Sequence, residues 1–124
     1  MSAASLIEAP EFGRIVVKGR EYSRDVVVCK DLVFSRAKEL SSEKKSIYGH
    51  TPLTLREVKE YLSKCGAIEE VVIAAGYYGD LPIEPDALSY LVKRCSKVVI
   101  IKTADLPKLS IDFSKAMVLI HVTC

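Results

Sequence analysis

The chain has 124 residues, 49% of them hydrophobic and 27% charged, and 18 basic side chains against 16 acidic ones leave a net charge of +2. That size and composition predict one folded α/β domain over residues 1–124 with a core of its own, and they exclude disorder. The balanced charge gives no electrostatic ground for a nucleic-acid partner, and no apolar run approaches the roughly 20 residues that span a bilayer, so no membrane partner is expected.

The first residues carry neither the basic nor the apolar region of a signal peptide, so a loose start over residues 1–5 and a cytoplasmic location are expected. Residues 14–19, 22–30 and 31–36 are rich in Val, Ile, Phe and Tyr and read as strands. Gly19-Arg20 and Lys30-Asp31 supply tight turns between them, and connections this short favour antiparallel pairing. Residues 36–53 are polar, hold Gly49 and Pro52, and read as an exposed loop. Lys44 and Lys45 sit there beside Glu39 and Glu43, a mixed run that suits a solvated surface.

Thr54 is a good N-cap, and Glu57 stands at capping-box spacing from it. Leu55, Val58, Tyr61 and Leu62 then recur at helical spacing, and Gly66 after Cys65 supplies the stop. Residues 70–75 form an unbroken apolar run that suits a strand covered on both faces. Pro85 opens a helix over residues 85–95, with Asp86 at its positive end. Residues 97–102 make the next strand and complete a βαβ unit. Residues 104–114 read as a short helix and turn around Pro107, and residues 116–122 as a final strand that ends in the core.

The best candidate pocket lies just beyond the strand at residues 70–75. Gly76, Tyr77, Tyr78 and Gly79 leave its C-terminal end, where open α/β sheets bind ligands. Two glycines admit close backbone approach, and Lys102 and Thr103 from the next strand line the same rim. A phosphate or carboxylate between Lys102 and the loop amides is the expected ligand, with His121 as the acid–base group if the final strand runs parallel to residues 97–102. The loop is neither a GxGxxG fingerprint nor a GK[ST] phosphate loop. No GxSxG, HExxH or metal-ligand spacing occurs, so no catalytic set, cofactor or metal is expected. His50 reads as a surface loop residue. A dyad of His121 with Cys124 is disfavoured, because alternation along a strand sends them to opposite faces and pairs His121 with Thr123.

Cys29, Cys65, Cys95 and Cys124 permit three pairings. The favoured reading is four reduced, buried thiols, with one or two structural disulfides as the alternative. The chain contains no Asn and no Gln, which points to a hot habitat, and hot habitats admit intracellular disulfides.

Phe12-Gly13, Gly19, Tyr22 and Asp25, then His50, then Gly76, Tyr78 and Gly79, then Thr103, and the ending His121, Thr123 and Cys124 together resemble a family of small α/β domains. That family includes the adipogenesis-associated domain-containing protein and mitochondrial complex I assembly factor 3. The resemblance covers residues 6–124 and implies a three-layer fold: a mixed central sheet with an extra β layer from the N-terminal hairpin. It implies assembly or regulatory roles and carries over no reaction. Two departures stand out. Ala74, Ala75 and Gly76 replace the family's Gly-x-Gly, and its long helix before the last strand is here short and interrupted by Pro107. The expectation is a non-enzymatic binding or assembly domain. It would bind a protein partner or itself through Tyr77 and Tyr78. A small anionic metabolite bound by Gly76–Gly79, Lys102 and His121 is the alternative.

Overall fold

The computed structural model describes residues 6–124, so the expectation for residues 1–5 lies outside the described residues. Among the described residues eight strands form two sheets. In the smaller one, β1 (Ile7–Glu11), β2 (Arg14–Val17) and β3 (Arg20–Tyr22) pair antiparallel in that order. Val17 pairs with Arg20, which leaves Lys18-Gly19 as a two-residue hairpin loop. Both residues take positive φ, 52° and 80°, the geometry that matches the twist of the flanking strands. β1 is absent from the sequence-based reading, because Glu8, Pro10 and Glu11 dilute its apolar pattern.

The larger sheet has the order β5-β4-β8-β6-β7, built from β4 (Val26–Cys29), β5 (Leu32–Ser35), β6 (Glu70–Ala75), β7 (Lys97–Ile101) and β8 (Ala116–His121). β4 is antiparallel to β5 and β8, whereas β6 is parallel to both β8 and β7. β8 is therefore the central strand, and all six of its residues are buried. Alternation divides them. Ala116, Val118 and Ile120 pack towards the small sheet with Ile7, Ile15, Val26, Val28 and Val72. Met117 and Leu119 pack towards the helices with Val58, Tyr61, Ile73 and Leu91. The result is the expected three-layer α/β architecture with a mixed central sheet.

α1 (Lys45–Tyr48) is a single turn, and the helical layer proper is α2 (Leu55–Cys65) and α3 (Pro85–Arg94). Thr54 caps α2, its hydroxyl accepting from the Glu57 N–H at 3.4 Å. Residues 36–53 depart from the expected exposed loop. They contain two 3-10 turns (Lys38–Leu40 and Ser42–Lys44) as well as α1, and Arg36, Ser41 and Leu53 are buried. The favoured reading of four reduced cysteines is also corrected. Cys29 at the end of β4 and Cys65 at the end of α2 form a disulfide, and Cys95 and Cys124 are free. Both bridged cysteines belong to the core cluster that lies between the sheet and the helices.

Candidate functional site

Because β6, β7 and β8 run the same way, their C-terminal ends meet at one edge, where Ala75 pairs with His121. The condition that brings His121 to the Gly76 edge is thus met. The chain beyond His121, however, closes the expected anion cradle. Residues 122–124 fold over Gly76, which has φ +99°. A Cβ there would overlap the Cys124 carbonyl group and lie 2.9 Å from His121 Cδ2, so only glycine fits. The Tyr77 N–H donates to Thr123 O at 2.7 Å, and the Tyr78 and Asp80 N–H groups donate to Cys124 O at 3.2 and 2.9 Å. The loop amides assigned to a ligand are therefore satisfied by the chain itself.

Thr103 is likewise committed. It is fully buried, its hydroxyl accepts from Gly76 N–H at 3.0 Å, and it donates to His121 O at 2.7 Å. Lys102 stays exposed at the rim, its stem 3.5 Å from where a Gly79 Cβ would stand. Of the residues expected to bind an anion, the loop amides and Thr103 are thus committed within the chain, whereas Lys102 and the Tyr78 side chain stay exposed at the rim.

Behind His121 lies a buried polar network that the sequence-based reading missed. Asp25 Oδ2 is 2.7 Å from His121 Nδ1, and Asp25 Oδ1 accepts from Val122 N–H at 2.9 Å. Arg36 bridges this carboxylate to that of Glu57. Its Nη1 donates to Asp25 at 3.1 Å, and its Nε and Nη2 donate to Glu57 at 2.7 and 2.9 Å. The Ser41 and Tyr61 hydroxyls also donate to Glu57. Every buried side-chain polar atom has a partner among the described residues, which is what burial of such groups demands.

Burial pushes the Asp25 carboxyl upward, but the hydrogen bond and charge of His121, the Val122 amide and nearby Lys38 outweigh it and bring the pKa down to about 2. For Arg36, burial opposes the charge, and Glu57 and Asp25 hold its pKa above the ordinary arginine value. Burial, then the adjacent Glu57 charge, raises the Tyr61 phenol. Two of these residues carry misleading sequence signals. Glu57 reads as half of a capping box, yet its carboxylate neutralises Arg36. Arg36 itself falls in the segment read as an exposed loop and is only 7% exposed.

His121 Nε2 faces the Thr123 hydroxyl at 3.3 Å, as alternation predicts. Cys124 and Thr123 are half-buried, and His50 is exposed. Among the described residues no group of three or more His, Cys, Asp or Glu side chains is placed to hold a metal. Among the same residues no helix is long and apolar enough to cross a membrane. A cavity of about 490 Å³ opens at the opposite ends of the strands. It is lined by Lys18, Lys30, Asp31 and Asp112, whose charges cancel and select no anion.

The outer side of the edge carries an aromatic cluster. Phe12, in the β1–β2 turn, sits 6.1 Å from the Tyr77 ring and 5.6 Å from the Tyr78 ring. Tyr77 is partly buried and anchored, its hydroxyl donating to Arg14 O at 2.7 Å. Phe12 and Tyr78 are 47% and 65% exposed. The exposed rings at this edge are thus Phe12 and Tyr78, with Tyr77 as their support.

No protein-family model matches the chain, and no curated protein does. Solved structures do. The conserved hypothetical protein PH1505 from Pyrococcus horikoshii OT3 is 26% identical, with 95% of this chain and 98% of that one covered and a TM-score of 0.78. A second solved structure, that of MT938, is 26% identical over 96% of this chain and 98% of that one, with a TM-score of 0.69. The chain therefore has the fold of small conserved hypothetical proteins, over their whole length.

Proposed function

We propose that the chain is a docking module that binds a second copy of itself through Phe12 and Tyr78. The observation that carries this reading is the pair of outward-facing rings, 5.6 Å apart and 47% and 65% exposed. Large aromatic side chains held on a rigid support are the residues on which binding energy concentrates. The support is rigid here because the 76–80 loop is hydrogen-bonded to residues 123 and 124 and Tyr77 to β2.

The rim favours an identical partner. Lys102 is exposed beside Gly79, next in sequence to Tyr78, and Glu11, next to Phe12, forms an exposed ion-paired group with Arg14 and Glu21. Two copies related by a two-fold axis set unlike charges opposite each other. Membership of the assembly-factor family belongs to the same proposal, since docking is what such roles require. A hot habitat, from the absence of Asn and Gln, and a cytoplasmic location belong to it too.

Sedimentation equilibrium on the wild type and on Phe12→Ala/Tyr78→Ala tests the reading. The wild type is expected to self-associate and the folded double variant to sediment as a monomer. Equal association of the two, or a wild type that stays monomeric into the millimolar range, overturns it.

A further inference from the structure

The helix-facing side of the same edge holds a carboxylate, an imidazole and a hydroxyl in series. Asp25 Oδ2 lies 2.7 Å from His121 Nδ1, and His121 Nε2 lies 3.3 Å from Thr123 Oγ1. The carboxylate cannot turn away, because the Val122 N–H holds one oxygen and Arg36 Nη1 the other. An acceptor fixed on Nδ1 keeps the ring proton there and leaves Nε2 free to take a proton from the hydroxyl. The imidazole is 7% exposed, which protects its orientation, whereas Thr123 is only half-buried and can be reached from solvent. His50, the other histidine, is exposed in a loop.

We propose that Thr123 is a nucleophile activated by His121, with Asp25 and Arg36 as positioning residues, and that this site transfers acyl groups from small activated esters. This activity is distinct from docking, which uses the rings of Phe12 and Tyr78 and neither Thr123 nor His121. Thr123 Oγ1 bonds to the acyl carbon as the ester C–O bond breaks. The hydroxyl proton passes to His121 Nε2 and from there to the departing oxygen. Water then repeats the sequence, giving its proton to His121, releasing the acid and restoring Thr123. The serial arrangement is that of hydrolytic triads, in which the buried carboxylate orients the imidazole and stays ionised.

The test uses the intact protein and p-nitrophenyl acetate, reading nitrophenol release and locating the acetyl group by peptide mass spectrometry. The expected result is a burst of one equivalent per chain with the acetyl group on Thr123. Thr123→Ala abolishes the burst and Thr123→Ser retains it, and His121→Gln slows acylation by at least about 100-fold. In Asp25→Asn the amide favours the other tautomer, so the His121 ring proton moves from Nδ1 to Nε2, read from the imidazole nitrogen chemical shifts, and acylation slows with it, a change that loss of stability alone does not produce. Thr123→Ala removes little buried contact, so its folding, checked by its melting transition, keeps the test decisive. Acetylation confined to Cys124 or to lysines overturns the proposal. So does no acetylation of the wild type, or an unchanged acylation rate in folded Thr123→Ala.

Discussion

Replacing Arg36 with Met separates the two carboxylates that it joins. The guanidinium makes five hydrogen bonds: two to Glu57 at 2.7 and 2.9 Å, one to Asp25 at 3.1 Å, and two to the carbonyls of Thr51 and Pro52 at 3.1 and 2.9 Å. Met fills much of the same volume but supplies no charge and no donor. Asp25 keeps His121 and the Val122 amide, whereas Glu57, which has no exposure, retains only the Ser41 and Tyr61 hydroxyls and the end of α2. Breaking a buried pair from one side costs about 3–5 kcal/mol, because it strands an uncompensated charge. The expected loss at pH 7 is in that range, read as a fall in the urea midpoint with an unchanged slope. Removing Glu57 as well, in Arg36→Met/Glu57→Leu, is expected to recover most of it. A single-variant loss below about 1 kcal/mol, the scale of an exposed pair, refutes the view that this network holds the 36–53 segment to α2.

Three further outcomes are expected. Asp25 has a folded pKa of about 2 against an ordinary 3.8, so the unfolded chain binds its proton first. Its contribution, about 2.5 kcal/mol, is present above pH ~4 and is lost as pH falls through about 2. Acid titration of the melting temperature checks this, and Asp25→Asn removes that part of the pH dependence. Reducing the Cys29–Cys65 disulfide, which spans 36 positions, is expected to cost about 4 kcal/mol through the regained freedom of the unfolded chain, measured by denaturation with and without reductant. Gly76→Ala is expected to destabilise by more than about 2 kcal/mol in the same assay, since it combines a positive φ with a clash against the Cys124 backbone. Gly79→Ala meets only the Lys102 stem and costs about 1 kcal/mol from its φ alone.

The parts of the fold legible in the sequence are those specified locally. Thr54, the i, i+3/i+4 spacing from Leu55 to Leu62 and Gly66 define α2 without reference to the rest of the chain. The unbroken apolar run of β8 announces a strand buried on both faces, and it is central in the sheet. β1 is not legible, since its Glu8, Pro10 and Glu11 match an edge strand that is fixed by pairing with β2. The polar network is hidden for a related reason. Asp25 and His121 stand 96 positions apart, and Arg36 and Glu57 21 apart, so no local spacing joins them. The polar character of residues 36–53 disguises Arg36 and Ser41, which are buried only because partners arrive from α2 and β4. At the candidate site, sequence places Gly76, Thr103 and His121 at one edge correctly. It does not reveal that residues 123 and 124 take up the amides left for a ligand.

The most direct test of the docking surface is an isotope-filtered nuclear Overhauser experiment on a mixture of labelled and unlabelled chains. Docking through this surface predicts contacts between copies at the rings of Phe12 and Tyr78, accompanied by contacts between Lys102 of one copy and the Glu11 side of the other. An absence of contacts between copies at millimolar concentration contradicts it, as do contacts confined to another surface such as the β7 edge.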